Sequence, residues 1–237
     1  MSQFQRTEML IGKNSQSFLK NASVAVFGIG GVGSYVCEAL ARAGIGKFLL
    51  CDNDFVSESN INRQLIALHS TVGKPKTAVM AERIKDINPN AEITEIQAFF
   101  SNENSKNFNF DGISYIVDAI DTVSSKLELI LRAKKHNIPI ISCMGTGNKL
   151  NPTLFEITDV FKTSVCPLAR VMRKELKALG ITSLKVLYSK EIPKSAENSI
   201  SENGRHIPGS VSFVPSSAGL IIAGEVICDL CKIERIN

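Results

Sequence analysis

The stretch that decides the fold is SVAVFGIGGVG, residues 23–33, which continues into the helix-favouring run SYVCEALARAG, residues 34–44. A short apolar run, rich in β-branched residues, leads into the glycines of a tight strand-to-helix turn: Gly28, Gly30, Gly31 and Gly33. Glycines at this place let backbone N–H groups approach a phosphate at the positive end of a helix. Alone, the pattern fits either a nucleotide site or only a tight turn.

On either side of this turn, strand and helix patterns alternate from residue 23 to residue 145. Further apolar strands are predicted at 47–52, 92–100, 115–121 and 138–144, with helices at 74–88 and 124–136 and a polar surface loop at 101–110. Uninterrupted apolar strands are typical of a parallel sheet that is covered on both faces. The pattern therefore predicts an α/β protein with a doubly wound, mostly parallel, Rossmann-like sheet.

After Gly145 the regular alternation of strands and helices ends. Strands are predicted at 153–160 and 183–189 around a helix at 167–179, followed by a long polar loop at 193–214 and an apolar helix at 215–232. No repeat and no linker divides the chain. We therefore expect a single domain made of an N-terminal helical arm (1–22), a nucleotide-binding core (23–150) and a C-terminal α/β extension (151–237).

The composition narrows the class of protein and its surroundings. Hydrophobic residues make up 44% and charged residues 21%, which excludes a disordered chain. A net charge of +4 is compatible with a nucleic-acid partner without requiring one. Six scattered cysteines favour the reducing cytoplasm over a disulfide framework. The most apolar stretch, 218–231, is interrupted by Glu225 and Asp229, so we expect a cytoplasmic protein without stable membrane insertion.

Charged residues near the predicted strand ends indicate the kind of nucleotide. Asp52 ends the second strand, where a carboxylate accepts hydrogen bonds from ribose hydroxyls, as it does in nicotinamide-dependent oxidoreductases. Arg63 and Lys76 argue against that class, because a triphosphate needs a positive clamp for its leaving pyrophosphate and a dinucleotide does not. Asp118 and Asp121 end the fourth strand, where a carboxylate can hold Mg²⁺ between phosphates.

Each of these residues also has an ordinary structural interpretation. Arg63 could pair with Asp54 on the surface, and Lys76 could be a common first-turn helix lysine. Asp118 fits a strand-end cap as well as it fits a ligand. Their joint occurrence in this order nevertheless favours the nucleotide site.

Taken together, the motifs resemble those of the ubiquitin-activating-enzyme-like superfamily, whose bacterial members include the ThiF, MoeB and HesA adenylyltransferases. The resemblance covers nearly all of residues 1–160: the GxGGxG turn, Asp-x-Asp after the second strand, Asn-x-x-Arg-Gln, Gly-Lys-Pro-Lys and the Asp-x-x-Asp strand end. It implies one ThiF-type adenylation domain that uses ATP and Mg²⁺, in which a carboxylate attacks the α-phosphate of ATP.

The resemblance also implies a role for each matching residue. Asp52 would bind the ribose, Arg63 and Lys76 would clamp the phosphates, and Asp121 would be the Mg²⁺-linked catalytic carboxylate. The nucleotide pocket would be completed by Gly28, Gly30, Gly31, Gly33, Asp54, Asn60 and Gln64. Arg6 resembles an N-terminal arginine that reaches into the site of a partner subunit, which implies a homodimer.

Three features of the second half address which acid is activated. Only Cys228 and Cys231 have the CxxC spacing, and two ligands do not complete a structural zinc site, so no zinc is expected. The loop 193–214 contains no cysteine, and Cys166 is open to two interpretations, a stabilised thiolate at a helix start or a buried residue. Residues 162–194 hold eight basic residues against two acidic ones, which fits a solvated helix face or a tRNA-binding patch.

Within the superfamily, the sequence resembles the bacterial branch that dehydrates threonylcarbamoyladenosine in tRNA. The shared stretches include RTEMLIG (6–12), GIGGVGS (28–34) and VDAID (117–121). This resemblance implies ATP-dependent cyclisation of the modified adenosine, and a partner of the cysteine-desulfurase or sulfur-acceptor class. Two other functions remain open from the residues: an adenylyltransferase for a ubiquitin-like sulfur carrier, and a scaffold that senses a nucleotide without turning it over.

Overall fold

The computed structural model describes residues 2–194, 201–202, 205–206 and 208–234, and its centre is a seven-stranded sheet. The strand order is β3-β2-β1-β4-β5-β7-β6, and only β6 runs antiparallel to its neighbour. The strands are β1 (Ser23–Phe27), β2 (Lys47–Cys51), β3 (Glu92–Ile96), β4 (Tyr115–Asp118), β5 (Ile140–Cys143), β6 (Phe155–Asp159) and β7 (Lys185–Ser189). The predicted doubly wound, mostly parallel sheet is therefore confirmed.

Helices cover both faces of the sheet. They are α1 (Gln5–Ile11), α2 (Lys13–Asn21), α3 (Gly33–Ala43), α4 (Lys76–Ile87), α5 (Val123–Lys135), α6 (Pro167–Ala178) and α7 (Phe213–Cys231). In β1, Val24 and Val26 pack in the core layer that contains α3, α4 and α7. Ala25 and Phe27 face the opposite layer, which contains α5 and α6. Because both faces are buried, β1 has a continuous apolar sequence rather than an alternating one.

The strand order reverses direction at β1, and this reversal creates the place for a ligand. The chain leaves β1 toward β2 and β3 on one side, whereas β4 and β5 lie on the other side of β1. Phe27 and Asp118 are partners in the register, so β1 and β4 end side by side. In open α/β sheets, ligands bind in the crevice outside the carboxyl ends of the strands at such a switch point.

The apolar helix α7 is part of the core. By length and composition alone it is the one helix among the described residues that could span a membrane. In the fold it packs on α3, where a Cβ added to Gly219 would lie 2.5 Å from the backbone oxygen of Val32. Its polar residues are also engaged, since Lys185 donates to Glu225 at 2.7 Å and Tyr115 donates to Asp229 at 2.6 Å. These contacts attach α7 to the sheet through both apolar packing and charge.

The structure corrects several sequence expectations. Except for the last, the observed strands end earlier than predicted, most clearly the third, which ends at Ile96 rather than at residue 100. The predicted surface loop 101–110 is wrong for Phe108 and Phe110, which pack around the ring of Phe27. Within the predicted loop 193–214, Ser201–Glu202 pairs antiparallel with Arg205–His206. Residues 195–200, 203–204 and 207 of that prediction lie outside the described residues.

Candidate active site

The glycine turn after β1 is compact because two of its residues leave no room for a side chain. Gly28 has a φ of +89°, and a Cβ on it would lie 2.6 Å from the carbonyl oxygen of Ala119. A Cβ on Gly33 would lie 1.8 Å from the backbone oxygen of Gly28. Glycine is required at both positions, at Gly28 for its φ as well as for space and at Gly33 for space. The turn thereby brings the start of α3 against the ends of β1 and β4.

Asp52 is joined to this turn by hydrogen bonds to the backbone. Its Oδ2 accepts the N–H of Ile29 at 2.6 Å, and its Oδ1 accepts the N–H of Asp54 at 2.8 Å. Burial raises the pKa of Asp52 above the usual aspartate value, and the Lys76 ammonium opposes this rise. Each carboxylate oxygen can accept more than one hydrogen bond. Asp52 can therefore take further hydroxyl donors at the end of β2.

Lys76 begins α4 and points its ammonium into the same region. The side chain is buried, and its Nζ lies 2.7 Å from Oδ2 of Asp54, which is itself exposed. A backbone hydrogen bond from Lys76 to the oxygen of Asp54, at 3.0 Å, holds the two segments together. The ion pair is with Asp54, so the expectation that Arg63 could pair with Asp54 is not met by the structure.

The segment that follows β2 supplies the remaining polar side chains. Arg63 donates through Nη1 to the oxygen of Ser59 and to Oδ1 of Asn62, both at 2.9 Å. Asn60 is buried and accepts the N–H of Ser57 at 3.2 Å. Gln64 is buried as well, and its Oε1 has no hydrogen-bond partner among the described residues.

Ser34 connects the glycine turn to this segment. Its hydroxyl donates to the oxygen of Gly30 at 2.7 Å and accepts the N–H of Leu65 at 3.3 Å. The side chain is fully buried. One hydroxyl group therefore ties the turn to the residues around Arg63.

The two aspartates after β4 have different environments. Asp118 is fully buried and accepts hydrogen bonds from Lys126 and Ser142, so it is a structural residue and not a ligand of the cavity. Asp121 is exposed at the cavity and accepts a hydrogen bond from the Thr122 hydroxyl at 3.3 Å. Only the second carboxylate is placed to meet a bound group.

These residues line one cavity of about 340 Å³ at the carboxyl edge of the sheet. That volume is within the usual range for small-molecule sites. The structure brings together most of the predicted site residues: Gly28, Gly30, Gly31, Asp52, Asp54, Asn60, Arg63, Gln64, Lys76 and Asp121. Gly33 supports the turn from behind and does not line the cavity.

Arg6 is the predicted site residue that lies elsewhere. It is exposed on α1, and the neighbouring residues Phe4 and Glu8 border Gly44 and Gly46 at the amino end of β2. The cavity is at the opposite, carboxyl edge of the sheet. Within one chain, Arg6 therefore takes no part in the site.

Several residues of the cavity wall had no signal in the sequence. They include Ala98, Phe99, Ile120, Thr146, Ser210 and Pro215. Phe99 follows β3 with its ring half-exposed, which suits a flat apolar face of a nucleotide base. Ser210 is held there by Asn62, whose amide donates to the Ser210 oxygen at 2.9 Å. For Phe99, one indication was present in the sequence: the predicted third strand ends at the same carboxyl edge of the sheet as the cavity.

The cysteines are poorly suited to nucleophilic chemistry. Cys51 lines the cavity, but burial raises its pKa to about 12. Burial likewise raises the pKa of Cys143 to about 12, and Cys166 is buried before α6. In the described part of the chain, no group of three or more His, Cys, Asp or Glu side chains is placed to hold a metal ion.

Fold and cavity together define a nucleotide-binding α/β protein whose cavity wall carries an arginine, a lysine and an exposed carboxylate. The chain belongs to the ThiF family, whose model matches residues 4–236. It is 44% identical over 251 residues to the tRNA threonylcarbamoyladenosine dehydratase of Bacillus subtilis (strain 168), covering 100% of this chain and 99% of that protein. The predicted resemblance to this branch of the superfamily is confirmed.

Solved structures give the same result for the fold. The chain is similar to the Escherichia coli tRNA N6-threonylcarbamoyladenosine dehydratase TcdA in complex with AMP, with a TM-score of 0.89 and 34% identity. The TcdA complex with ATP matches with a TM-score of 0.88 and 34% identity. Each match covers 97% of this chain and 94% of the other.

Proposed function

We propose that this protein is an enzyme that uses ATP to dehydrate N6-threonylcarbamoyladenosine in tRNA, which closes the threonylcarbamoyl group into a ring. The observation that carries the proposal is the similarity, over the full length of the chain, to a dehydratase of that substrate. The cavity supports it, because the residue types that adenylation chemistry needs are all present at its wall.

In this reaction the carboxylate of the threonyl group attacks the α-phosphate of ATP. A bond forms between carboxylate oxygen and phosphorus, and the bond to pyrophosphate breaks. A nitrogen or oxygen of the same modification then attacks the activated carbonyl carbon, and AMP leaves. The net change in the tRNA is the loss of one water. No protein thiol takes part, in agreement with the raised pKa of Cys51.

The chain's own residues align and neutralise the reacting groups. Asp52 binds the ribose hydroxyls through its remaining lone pairs. Arg63 and Lys76 bind the phosphates and stabilise the negative charge that passes to pyrophosphate. Asn60, Gln64 and Asp54 orient the nucleotide and the two cations, while backbone N–H groups of the glycine turn meet a phosphate at the start of α3.

Mg²⁺ fits the residues present. Asp121 is an exposed carboxylate at the cavity wall, and Mg²⁺ is often held by one or two carboxylates together with substrate phosphates and water. When bound, the ion neutralises phosphate charge. Asp121 would hold it, and Asp118 would not, because its oxygens are occupied by Lys126, Ser142 and a backbone N–H.

A homodimer is supported by the N-terminal helix. Met9 is 80% and Leu10 87% exposed on α1, and apolar side chains exposed to this degree side by side are typical of an interface. Arg6 lies on the same helix. A second copy that covers α1 would receive Arg6 at its surface, and the proposal that Arg6 acts in that partner's site rests on the family resemblance.

Within the basic segment 162–194, we propose that tRNA binds along α6, and the exposed basic residues of this helix support the proposal. Lys185 and Lys190 are paired with acidic residues, and Arg173 donates to Thr163. The remaining exposed basic residues there include Lys162, Arg170, Lys174 and Lys177, the last three at helical spacing on α6.

This helix face begins on the cavity side of the sheet. The buried Cys166, just before α6, is near enough to Cys143, at the carboxyl end of β5, to add to the burial that raises the pKa of the Cys143 thiol. Basic side chains near that edge can bind phosphates of a large polyanion while its modified base enters the cavity.

The tRNA substrate and the reduced cysteines favour the cytoplasm as the place of action. The core packing of α7 is consistent with a protein that is not inserted in a membrane. A sulfur-acceptor or cysteine-desulfurase partner remains a proposal that rests on the family resemblance alone.

The test is to incubate the protein with ATP, Mg²⁺ and threonylcarbamoylated tRNA and then weigh the digested nucleosides. Loss of one water from the modified adenosine is expected, and Asp121→Ala should bind ATP without giving this product. An unchanged mass, with ATP–pyrophosphate exchange only after addition of a ubiquitin-like carrier, would instead establish the sulfur-carrier adenylyltransferase. ATP binding with neither reaction would indicate the sensing scaffold.

A further inference from the structure

Three polar side chains form a closed cluster directly behind the cavity: Asp118 at the end of β4, Lys126 on α5 and Ser142 on β5. All three are fully buried. The Lys126 ammonium donates to Asp118 Oδ2 at 3.0 Å and to the Ser142 oxygen at 3.2 Å. The Ser142 hydroxyl donates to the same Asp118 oxygen at 2.5 Å. None of the three lines the cavity.

The second oxygen of Asp118 holds the turn that does line the cavity. Asp118 Oδ1 accepts the N–H of Ile120 at 3.1 Å. On the other side of the turn, the N–H of Ala119 donates to the oxygen of Phe27 at 2.8 Å. Ala119, Ile120 and Asp121 all contribute to the cavity wall. The turn that carries Asp121 is therefore fixed from beneath by one carboxylate and from the side by β1.

Stability alone does not account for an ion pair at this depth. Removing two charges from water is costly, and well-packed apolar residues of similar volume often serve a core as well or better. What an apolar pair cannot supply is a side-chain acceptor for the N–H of Ile120. Lys126 and Ser142 come from two different elements, so together they fix the rotation of the Asp118 carboxylate and hence the direction of that hydrogen bond.

We propose that Asp118, Lys126 and Ser142 are positioning residues that hold the turn 119–121 and so aim the Asp121 carboxylate into the cavity, where it would hold Mg²⁺. They touch neither the nucleotide nor the tRNA. The inference rests on the proposed function and adds to it a structural element behind the cavity that keeps the catalytic carboxylate in place.

Two double variants separate positioning from structural support. Asp118→Asn with Lys126→Met removes both charges but keeps a side-chain oxygen for Ile120 and an amide that can donate to Ser142. Asp118→Leu with Lys126→Met removes the same charges and also the acceptor. We expect a much smaller loss of kcat from the first, in which Ser142 still holds the amide but Lys126 no longer does, than from the second, which should lose about 10²-fold in kcat, the scale of a ~1 Å misplacement. Their melting temperatures should be similar.

Binding of ATP with and without Mg²⁺, measured by calorimetry, gives a readout that needs no tRNA. Without Mg²⁺, both double variants should bind ATP as the unmodified protein does. With Mg²⁺, only the Asp118→Leu double variant should lose the gain in affinity. Ser142→Ala, which leaves the ion pair in place, should lower kcat in the same direction at an unchanged melting temperature.

Equal kcat and equal Mg²⁺ gains in the two double variants would overturn the inference, as would a kcat that follows melting temperature across all variants. If the unmodified protein binds ATP but does not dehydrate the tRNA, the proposed function fails instead. In that case the positioning role is still tested by comparing how much Mg²⁺ increases the ATP affinity of the two double variants. If neither double variant folds, Ser142→Ala decides it: an unchanged kcat or an unchanged Mg²⁺ gain refutes the cluster's role.

Discussion

Replacing Lys76 by Met tests the phosphate clamp with little disturbance of the fold. Lys76 is 5% exposed, so its aliphatic stem is packed, and Met fills that space without the charge. The ion pair that this change removes is with Asp54, whose side chain is 57% exposed. Pairs with a solvated partner contribute about 0–1 kcal/mol. In a chain of this length we therefore expect the melting temperature to fall by at most about 2–4 °C.

The expected effect on catalysis is much larger. The Nζ of Lys76 lies 2.7 Å from Asp54 in the wall of the cavity that we propose binds the phosphates. Loss of one preorganised charge aimed at a developing anion costs about 2.7–4 kcal/mol, or roughly 10²–10³-fold in rate. Single-turnover dehydration of modified tRNA at saturating ATP measures this step without product release.

Asp54→Asn is the matched control, because it removes the partner of Lys76 and keeps the ammonium. We expect a smaller loss of rate from it than from Lys76→Met. If Lys76→Met turns over at the unmodified rate, or if its loss of rate is fully matched by a loss of folded protein, Lys76 is a helix-start lysine and the clamp interpretation is wrong.

Three further predictions concern the ribose carboxylate, the basic helix face and the N-terminal arm. Because burial raises the pKa of Asp52, the ionised form needed for ribose binding is lost as pH falls through a range above the usual aspartate value of about 3.9. ATP affinity should drop there, and calorimetry on Asp52→Asn should show a flat profile; an equal drop in both proteins excludes Asp52 as the titrating group. A triple variant of the basic helix face should bind tRNA more weakly and ATP unchanged; its substitutions are Arg170→Ala, Lys174→Ala and Lys177→Ala. The slope of the logarithm of the tRNA association constant against the logarithm of salt concentration should become shallower by about 1 for each phosphate that is no longer neutralised. An unchanged slope would show that tRNA binds elsewhere. The Arg6→Ala and Lys76→Met proteins should each be nearly inactive. Refolding equal amounts of the two together should restore roughly a quarter of the activity of the unmodified protein, since half of the dimers are hybrids and each hybrid has one intact site. If no activity returns, Arg6 does not act in the partner's site.

The sequence was informative wherever a short segment determines its own environment. Strands such as β1, which are buried on both faces, have continuous apolar runs. In the turn after β1, no residue type other than glycine fits at Gly28 and Gly33. The order of strands and helices could therefore be predicted. Strand ends could not, because pairing stops where neighbouring strands diverge at the switch point, as it does after Asp118.

Other errors arose from packing between distant segments. Phe108 and Phe110 stand among Asn and Ser residues, and their packing against the rings of Phe27, Phe100 and His136 explains their burial. Phe99 enters the cavity wall because β3 ends early, which the apolar sequence of 98–100 concealed. The partnership of Asp118 with Lys126 links a strand and a helix across a buried layer. From the sequence, the role of Asp118 was open between a strand-end cap and a ligand, and its complete burial shows that it has a structural role.

The choice between a tRNA substrate and a sulfur carrier depends on what receives the activated acyl group. A carrier must hand its acyl group to a separate acceptor, for which a reactive thiol near the nucleotide is a common solution. Here the cysteine at the cavity, Cys51, has its thiol held protonated by burial, which raises its pKa. In the tRNA modification, acceptor and acyl group belong to one molecule, so the second step benefits from the high effective concentration of intramolecular reactions, which reaches about 10⁵–10⁸ M in well-oriented cases. A site that activates a carboxylate is sufficient for that substrate without a nucleophile of its own, and the one thiol that the described residues place at the cavity wall, Cys51, is held protonated.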